Sequence, residues 1–373
     1  MGLQKLILNI ILGFLNIFVK RFKIKENQVA FVSLESKYLD SDMKLIYDVL
    51  KQDKQLNLKK VVIEYDQQGI KQNFLYMLNC IQQLFIINTS KVVIIRDNNY
   101  VVSTFKREGV NVIQVWHACG AIKKSGNALA RKYPIKNYDY VIANSSYWKK
   151  PYSEAFSVKE ENVVVTGMPR VDCLFDDNYL KVSKNKLLAK YPMLKDKKII
   201  LYAPTFRESM VDEKGNFISS PPIEFDRWEQ FLSSDFVVLF RAHSAVNKVL
   251  NVQSNSFLID VSMFDCLNDL MLVSDILISD YSSIFFDYSI MDKPMLCFAY
   301  DYDRYNAERG LYFDIRKELS DEIIDNEDQL LESILHLDYQ KSIQRTIAFR
   351  NKYVTEYGHA TARCLDILAK NIL

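Results

Sequence analysis

The sequence predicts an α/β chain with two domains, each built on a parallel sheet, and three observations lead there. Short β-branched runs alternate with stretches long enough for a helix, which is the pattern of βαβ units. That alternation breaks once, around Gly167-Met-Pro-Arg170, and then resumes. A chain of 373 residues, 49% of them hydrophobic, is long enough for two cores.

Residues 1–25 form the first element. Leu6 to Val19 is an apolar run broken only by Asn9, Gly13 and Asn16, and the basic stretch Lys20-Arg-Phe-Lys-Ile-Lys25 follows at once. A spanning helix needs about 20 apolar residues, so this run is too short to cross a bilayer. No small-x-small cleavage site follows, which argues against a secretory signal. An amphipathic helix in the membrane interface, its basic end toward lipid phosphates, accounts for both length and flank. A plain core helix is the alternative.

Residues 26–175 form the first domain, with strands expected at Val29–Ser33, Lys60–Glu64, Val92–Arg96, Val112–Trp116, Tyr140–Ala143 and Val163–Thr166. The polar stretch from Asp176 to Lys190 opens a second domain, 176–345. Its strands are expected at Ile199–Ala203, Phe236–Arg241, Phe257–Val261, Ile276–Ser279 and Met295–Phe298. Residues 346–373 are expected to form a C-terminal helix packing back toward the first domain. In open α/β sheets, ligands bind at the carboxyl ends of the strands, so the two domains are expected to face a cleft that holds the site.

The residues with chemistry to offer follow strands. Ile276–Ile278 stops at Ser279 and Asp280, and Ser282 and Ser283 then open a helix carrying Asp287 two turns in. Hydroxyls and free amides at a helix start favour phosphate, although serine is also an ordinary N-cap. Leu201-Tyr-Ala-Pro-Thr-Phe-Arg207 ends a strand with the hydroxyl of Thr205 and the guanidinium of Arg207, and Leu239-Phe-Arg-Ala-His243 ends another with Arg241 and His243. Any one of these cations alone reads as a surface salt-bridge partner. Three such strand ends together describe a polyphosphate pocket. In the first domain, Ile113-Gln-Val-Trp-His117 runs into a glycine-punctuated loop with Lys123 and Lys124. His117 is suited to taking a proton and the lysines to an anionic group; a structural histidine beside solvated lysines is the plainer alternative.

Other classes are disfavoured. No dinucleotide or P-loop glycine motif, no H-E-x-x-H and no Asp-x-Asp pair at a strand end is found, so no metal site or cofactor is expected. Charge is balanced, with 48 Lys+Arg against 46 Asp+Glu, which does not suggest nucleic-acid binding. The six cysteines stand far apart, as reduced thiols of a cytosolic protein do.

Five stretches carry a resemblance: Gln114-Val-Trp-His-Ala-Cys-Gly-Ala-Ile-Lys-Lys-Ser-Gly126, Thr166-Gly-Met-Pro-Arg-Val-Asp172, Leu201–Arg207, Arg241-Ala-His243 and Ser279-Asp-Tyr-Ser-Ser-Ile-Phe-Phe-Asp-Tyr288. In this order, between about residues 110 and 310, they resemble the CDP-glycerol glycerophosphotransferase family of teichoic acid synthesis; the first ~100 residues match only in architecture. Trp116 to Lys123 is closer to the glycerophosphate primase branch than to the polymerases, as are the short hydrophobic start and the lack of a long N-terminal extension.

The resemblance implies a GT-B-like fold of two Rossmann-like domains, the second binding CDP-glycerol. His117 matches the base that takes the acceptor proton, and His243 the histidine near the donor diphosphate. Ser282 and Ser283 match diphosphate-binding hydroxyls, with Thr205, Arg207, Arg241, Asp280 and Asp287 around them. Lys123 and Lys124 are expected on the acceptor side. The implied reaction transfers glycerol phosphate from CDP-glycerol to an undecaprenyl-diphosphate-linked disaccharide and releases CMP. It would run on the cytoplasmic face of the cell membrane, with the protein held peripherally and a homo-oligomer left open. Two positions depart from the family pattern: Ser244 stands where a proline is common and Ser125 where an aromatic is frequent. The rival readings are a CDP-ribitol or polymerising phosphotransferase, a nucleotide-sugar glycosyltransferase or epimerase on the same fold, and a membrane-surface scaffold without catalysis.

Overall fold

A computed structural model describes residues 2–39, 41–65, 69–131, 133–207, 209–211, 218–219, 222–243, 246, 248–249, 252–320 and 322–372. The chain divides into two compact units, Met1–Cys119 with Ser125–Asp172 and Thr355–Leu373, and Gly120–Lys124 with Cys173–Val354.

In the first unit, β1 (Lys25–Ser33), β2 (Asn57–Val62), β3 (Ser90–Ile95), β4 (Asn111–Gln114), β5 (Tyr140–Ala143) and β6 (Val163–Val165) form one sheet in the order β2-β1-β3-β4-β5-β6. Every pairing is parallel. The apolar runs that mark β1 and β3 are fully buried, as strands covered on both faces must be. In the second unit, β7 (Lys198–Tyr202), β9 (Phe236–Phe240), β11 (Leu258–Asp260), β12 (Ile276–Ser279) and β13 (Met295–Cys297) form a parallel sheet in the order β11-β9-β7-β12-β13. Two dipeptides, β8 (Ile218–Ser219) and β10 (Lys248–Val249), pair separately. Each strand expected from the sequence is present, with some ends moved by a few residues; the β8–β10 pair was too short to leave a pattern.

The unit borders differ from those read in the sequence. The helix Tyr339–Tyr353 stays with the second unit, because Thr346 donates its hydroxyl to the Lys293 carbonyl and the Phe349 ring stacks on Phe286. Only the helix Ala360–Ile372 joins the first unit. Its free N-terminal amides find Asp172, whose carboxylate accepts from the amides of Ala360 and Thr361, 2.8 Å each, and from the Thr361 hydroxyl at 2.7 Å. Arg170 is held by Asp42 through its own amide (2.8 Å) and guanidinium (2.7 Å). Gly167 has φ +77°, and a Cβ there would lie 2.7 Å from the Glu356 carbonyl oxygen. The Thr166–Asp172 motif is thus a lock on the returning chain.

The first helix, α1 (Gly2–Val19), packs on the helix Gly69–Thr89 of the same unit. Leu12 and Val19 are fully buried there, while Leu6, Ile7, Ile10, Phe14, Ile17 and Phe18 are exposed on the other face. Asn9, a polar break in the run, accepts a bond from the Tyr100 hydroxyl. Beyond the helix, Arg107 donates to the carbonyls of Lys20 (3.3 Å) and Phe22 (2.8 Å). Among the described residues no helix is long and apolar enough to cross a membrane.

Candidate active site

In the second unit, three neighbouring strands, β9, β7 and β12, end in the residues singled out above. Asp280, just past β12, is buried and accepts from the amides of Thr205 (2.9 Å) and Tyr281 (2.7 Å) and from Arg207 at 2.9 Å. Arg207 is also buried; its Nε and Nη2 form a fork onto Asp301, at 2.8 and 2.9 Å, and its Nη1 reaches the Thr205 carbonyl at 2.7 Å. The rings of Tyr281, Tyr300 and Tyr305 surround the guanidinium, each about 5 Å from it. Burial opposes the charge, but Asp280 and Asp301 outweigh it and hold the guanidinium above its ordinary pKa. Asp301 is opposed by burial too, and Arg207 pulls its carboxyl below the usual range. Four of the five Arg207 N–H bonds are therefore committed to protein oxygens. Arg207 and Asp280 thus frame the strand ends through bonds to protein atoms.

Thr205 is held by that frame, and its Oγ1 is buried with no hydrogen-bond partner among the described residues. A buried hydroxyl without a partner is costly unless a ligand completes it. His243, after β9, packs its ring 4.7 Å from Phe206. Burial pushes its pKa down to about 4, helped by the charge of Lys123 and opposed by Asp280, so it is neutral at pH 7. Arg241 turns to the carbonyls of Val261 (3.1 Å) and Phe264 (2.6 Å), and burial lowers its pKa. Ser282 accepts from the Ile284 amide at 3.3 Å, and Ser283 makes no capping bond through its side chain. The helix they open, Ile284–Ser289, has only six residues. Asp287 lies buried one turn into it, not two turns in as expected from the sequence, because it follows the N-cap Ser283 by only four positions.

Lys123 and Lys124 were expected on the acceptor side. The structure puts both in the second unit, where Lys123 bridges Leu311, Lys124 donates its amide to the Gly310 carbonyl at 3.0 Å, and the Tyr312 amide reaches the Ile122 carbonyl at 2.9 Å. The Lys123 ammonium stands 5.9 Å from the Phe206 ring centre, on the same strand ends as His243. Ser125 returns to the first unit, with its hydroxyl buried and without a partner among the described residues. Next to it Gly126 has φ +57°, and a Cβ would fall 2.1 Å from the Ala155 carbonyl oxygen. Ser244 lies outside the described residues.

In the first unit His117 follows β4. Trp116 before it has φ +46°, a left-handed conformation rare for an aromatic residue and frequent at functional sites. Its amide is held by the Gln114 side chain at 2.9 Å. The His117 Nδ1 stands 3.5 Å from Glu35 Oε1, and the Arg96 Nε stands 3.4 Å from Glu35 Oε2. Glu35 and Arg96 follow β1 and β3 and were missed. The strand-end rule that pointed to the second unit would have found them, had it been applied to the first ~100 residues as well. Among the described residues no group of three His, Cys, Asp or Glu is placed to hold a metal ion.

Two Rossmann-like units whose polar residues gather at strand carboxyl ends define a GT-B-like α/β protein. The family described as CDP-Glycerol:Poly(glycerophosphate) glycerophosphotransferase matches residues 14–370, and the chain belongs to it. A teichoic acid poly(ribitol-phosphate) polymerase of Bacillus spizizenii is 32% identical over 359 residues, which is 92% of this chain but only 56% of that one. A teichoic acid ribitol-phosphate primase of the same organism is 29% identical, covering 93% of this chain and 92% of its own. The structure of the wall teichoic acid polymerase TagF superposes with a TM-score of 0.75 at 25% identity, covering 99% of this chain and 97% of that one.

Proposed function

We propose that this chain transfers glycerol phosphate from CDP-glycerol to a lipid-linked disaccharide, releasing CMP, as a peripheral protein of the cytoplasmic membrane face. The observation that carries the donor half is the Thr205 hydroxyl, buried without a partner among the described residues in a frame built by Arg207, Asp280 and Asp301. Ser282 and Ser283 would donate to the diphosphate, and Lys123 and His243 would add a cation and a neutral N–H donor. Lys123 is thus reassigned to the donor. His117 would act as base: it accepts the acceptor proton, the acceptor oxygen bonds the glycerol-bearing phosphorus, and the phosphorus–oxygen bond to CMP breaks. Positioning and charge stabilisation carry most of such a reaction.

A primase role is supported by the alignment with a ribitol-phosphate primase over more than nine-tenths of both chains. CDP-ribitol is the second reading, favoured because both relatives described above are ribitol-phosphate enzymes. Incubation with CDP-glycerol or CDP-ribitol and a lipid-linked disaccharide, followed by product mass and CMP release, tests the proposal. One polyol phosphate added from CDP-glycerol is expected; release of a nucleoside diphosphate instead would reject it.

The membrane half rests on the exposed face of α1. Because Leu12 and Val19 are buried, deleting the helix would damage the unit. The cleaner variant is Ile10→Ser with Phe14→Ser and Ile17→Ser, all three exposed. It should sediment less with anionic vesicles and unfold at the wild-type temperature. Equal sedimentation would place the anchor elsewhere.

A further inference from the structure

We propose that Glu35 is a positioning residue for His117, holding the ring by Nδ1 so that Nε2 is presented for proton transfer; this rests on the reading of His117 as base. Glu35 is firmly mounted. Its amide donates to Ser33 Oγ at 3.2 Å, Ser33 Oγ donates to Asp97 at 3.0 Å, and the Leu34 amide reaches the same Asp97 oxygen at 2.6 Å. Asp97 is buried past the end of β3, and a backbone bridge to Glu64 steadies the far side. One carboxylate oxygen then faces Arg96 and the other His117. Of the other charges on these elements, Glu64 and Lys37 pair with each other at 3.3 Å, and Lys91 with Glu26 at 2.7 Å near the start of β1. An imidazole that must gain and release a proton works best with its second nitrogen fixed by an acceptor, which sets the tautomer and stabilises the imidazolium. At 3.5 Å the contact is long, as such contacts often are before substrate arrives.

The test uses the full chain, Glu35→Gln, His117→Ala and the double variant. Turnover of Glu35→Gln should fall roughly ten- to a hundredfold, with CDP-glycerol affinity unchanged. The ring NMR signal of His117, identified among only four histidines by its loss in His117→Ala, should titrate at lower pH in Glu35→Gln than in the wild type, since a nearby carboxylate favours the charged ring. Turnover of the double variant should equal that of His117→Ala. An unmoved titration, or a further loss in the double variant, overturns the proposal. Near-normal turnover of His117→Ala would instead remove the base reading, while the NMR titration still decides whether Glu35 holds the ring.

Discussion

The strand ends of the two units are built in opposite ways. In the second unit Arg207, Asp280 and Asp301 are almost wholly buried and cross-bonded, and the guanidinium is walled by three tyrosine rings. In the first, His117 and Glu35 are each about 40% exposed and stand at ion-pair distance with water around them. Buried charges keep one geometry because every alternative leaves a charge unpaired; exposed pairs are adjustable and worth little in stability. Under the proposed reaction, the contrast fits a unit that holds a diphosphate in one place and another that admits an acceptor and moves a proton. It follows that the same kind of substitution should have unlike consequences in the two units.

The largest difference should appear in kinetics. His117→Ala should lower kcat by roughly 10²–10⁴-fold and leave donor affinity nearly unchanged, as loss of a proton-transfer group does. His243→Ala should weaken CDP-glycerol binding as well as turnover, because its neighbours are the residues proposed to bind the donor. Steady-state rates with calorimetric titration of donor separate the two, and equal effects on donor affinity would erase the division of labour.

Stability should show the same contrast reversed. Asp280→Asn breaks the buried pair with Arg207 and should cost about 3–5 kcal/mol in urea unfolding. Glu35→Gln, at an exposed pair, should stay within about 1 kcal/mol of the wild type. Comparable losses would mean that the first unit is as tightly framed as the second.

A related difference concerns pH. His243 is held at about 4 by burial, with Lys123 adding to the shift, whereas an unfolded histidine titrates near 6.5. Between those values the unfolded chain binds a proton that the folded chain refuses. Stability should therefore be complete above about pH 6.5 and fall as the pH drops toward 4, by up to about 1.4 kcal/mol per pH unit from this residue. Urea midpoints of the wild type and His243→Gln should converge as the pH is lowered; a constant gap would show that His243 is not refused its proton.

Much of this was legible in the chain, and what was not has identifiable physical causes. Buried parallel strands leave dense β-branched runs, so the sheets could be read, as could the strand ends bearing Thr205, His243 and Ser282. Roles were harder to read than positions. Arg207 looks like a ligand in the sequence because its partners Asp280 and Asp301 stand 73 and 94 residues away. Lys123 follows His117 by six positions yet lies in the other unit, because Gly120–Lys124 pairs with Gly310–Tyr312. The strand-end rule marks Glu35, just past β1, but its pairing with His117 shows only once β1 and β4 are placed in one sheet.

The smallest effect should come from the serine pair, and it separates a cap from a phosphate site. Ser282 already accepts the Ile284 amide at 3.3 Å, but its hydroxyl hydrogen remains available, and Ser283 makes no capping bond. If both were only caps, Ser282→Ala with Ser283→Ala would cost about 1 kcal/mol of stability and nothing in donor affinity. If they donate to the diphosphate, hydrogen bonds to a charged group are lost, roughly 1.5–3 kcal/mol in binding for the first of them. The loss stays partial because Lys123, His243 and Thr205 remain in place. Donor affinity should thus fall at least tenfold while the urea midpoint barely moves. Unchanged affinity with a lowered midpoint would reduce the pair to a helix start and leave the diphosphate to Thr205, Lys123 and His243.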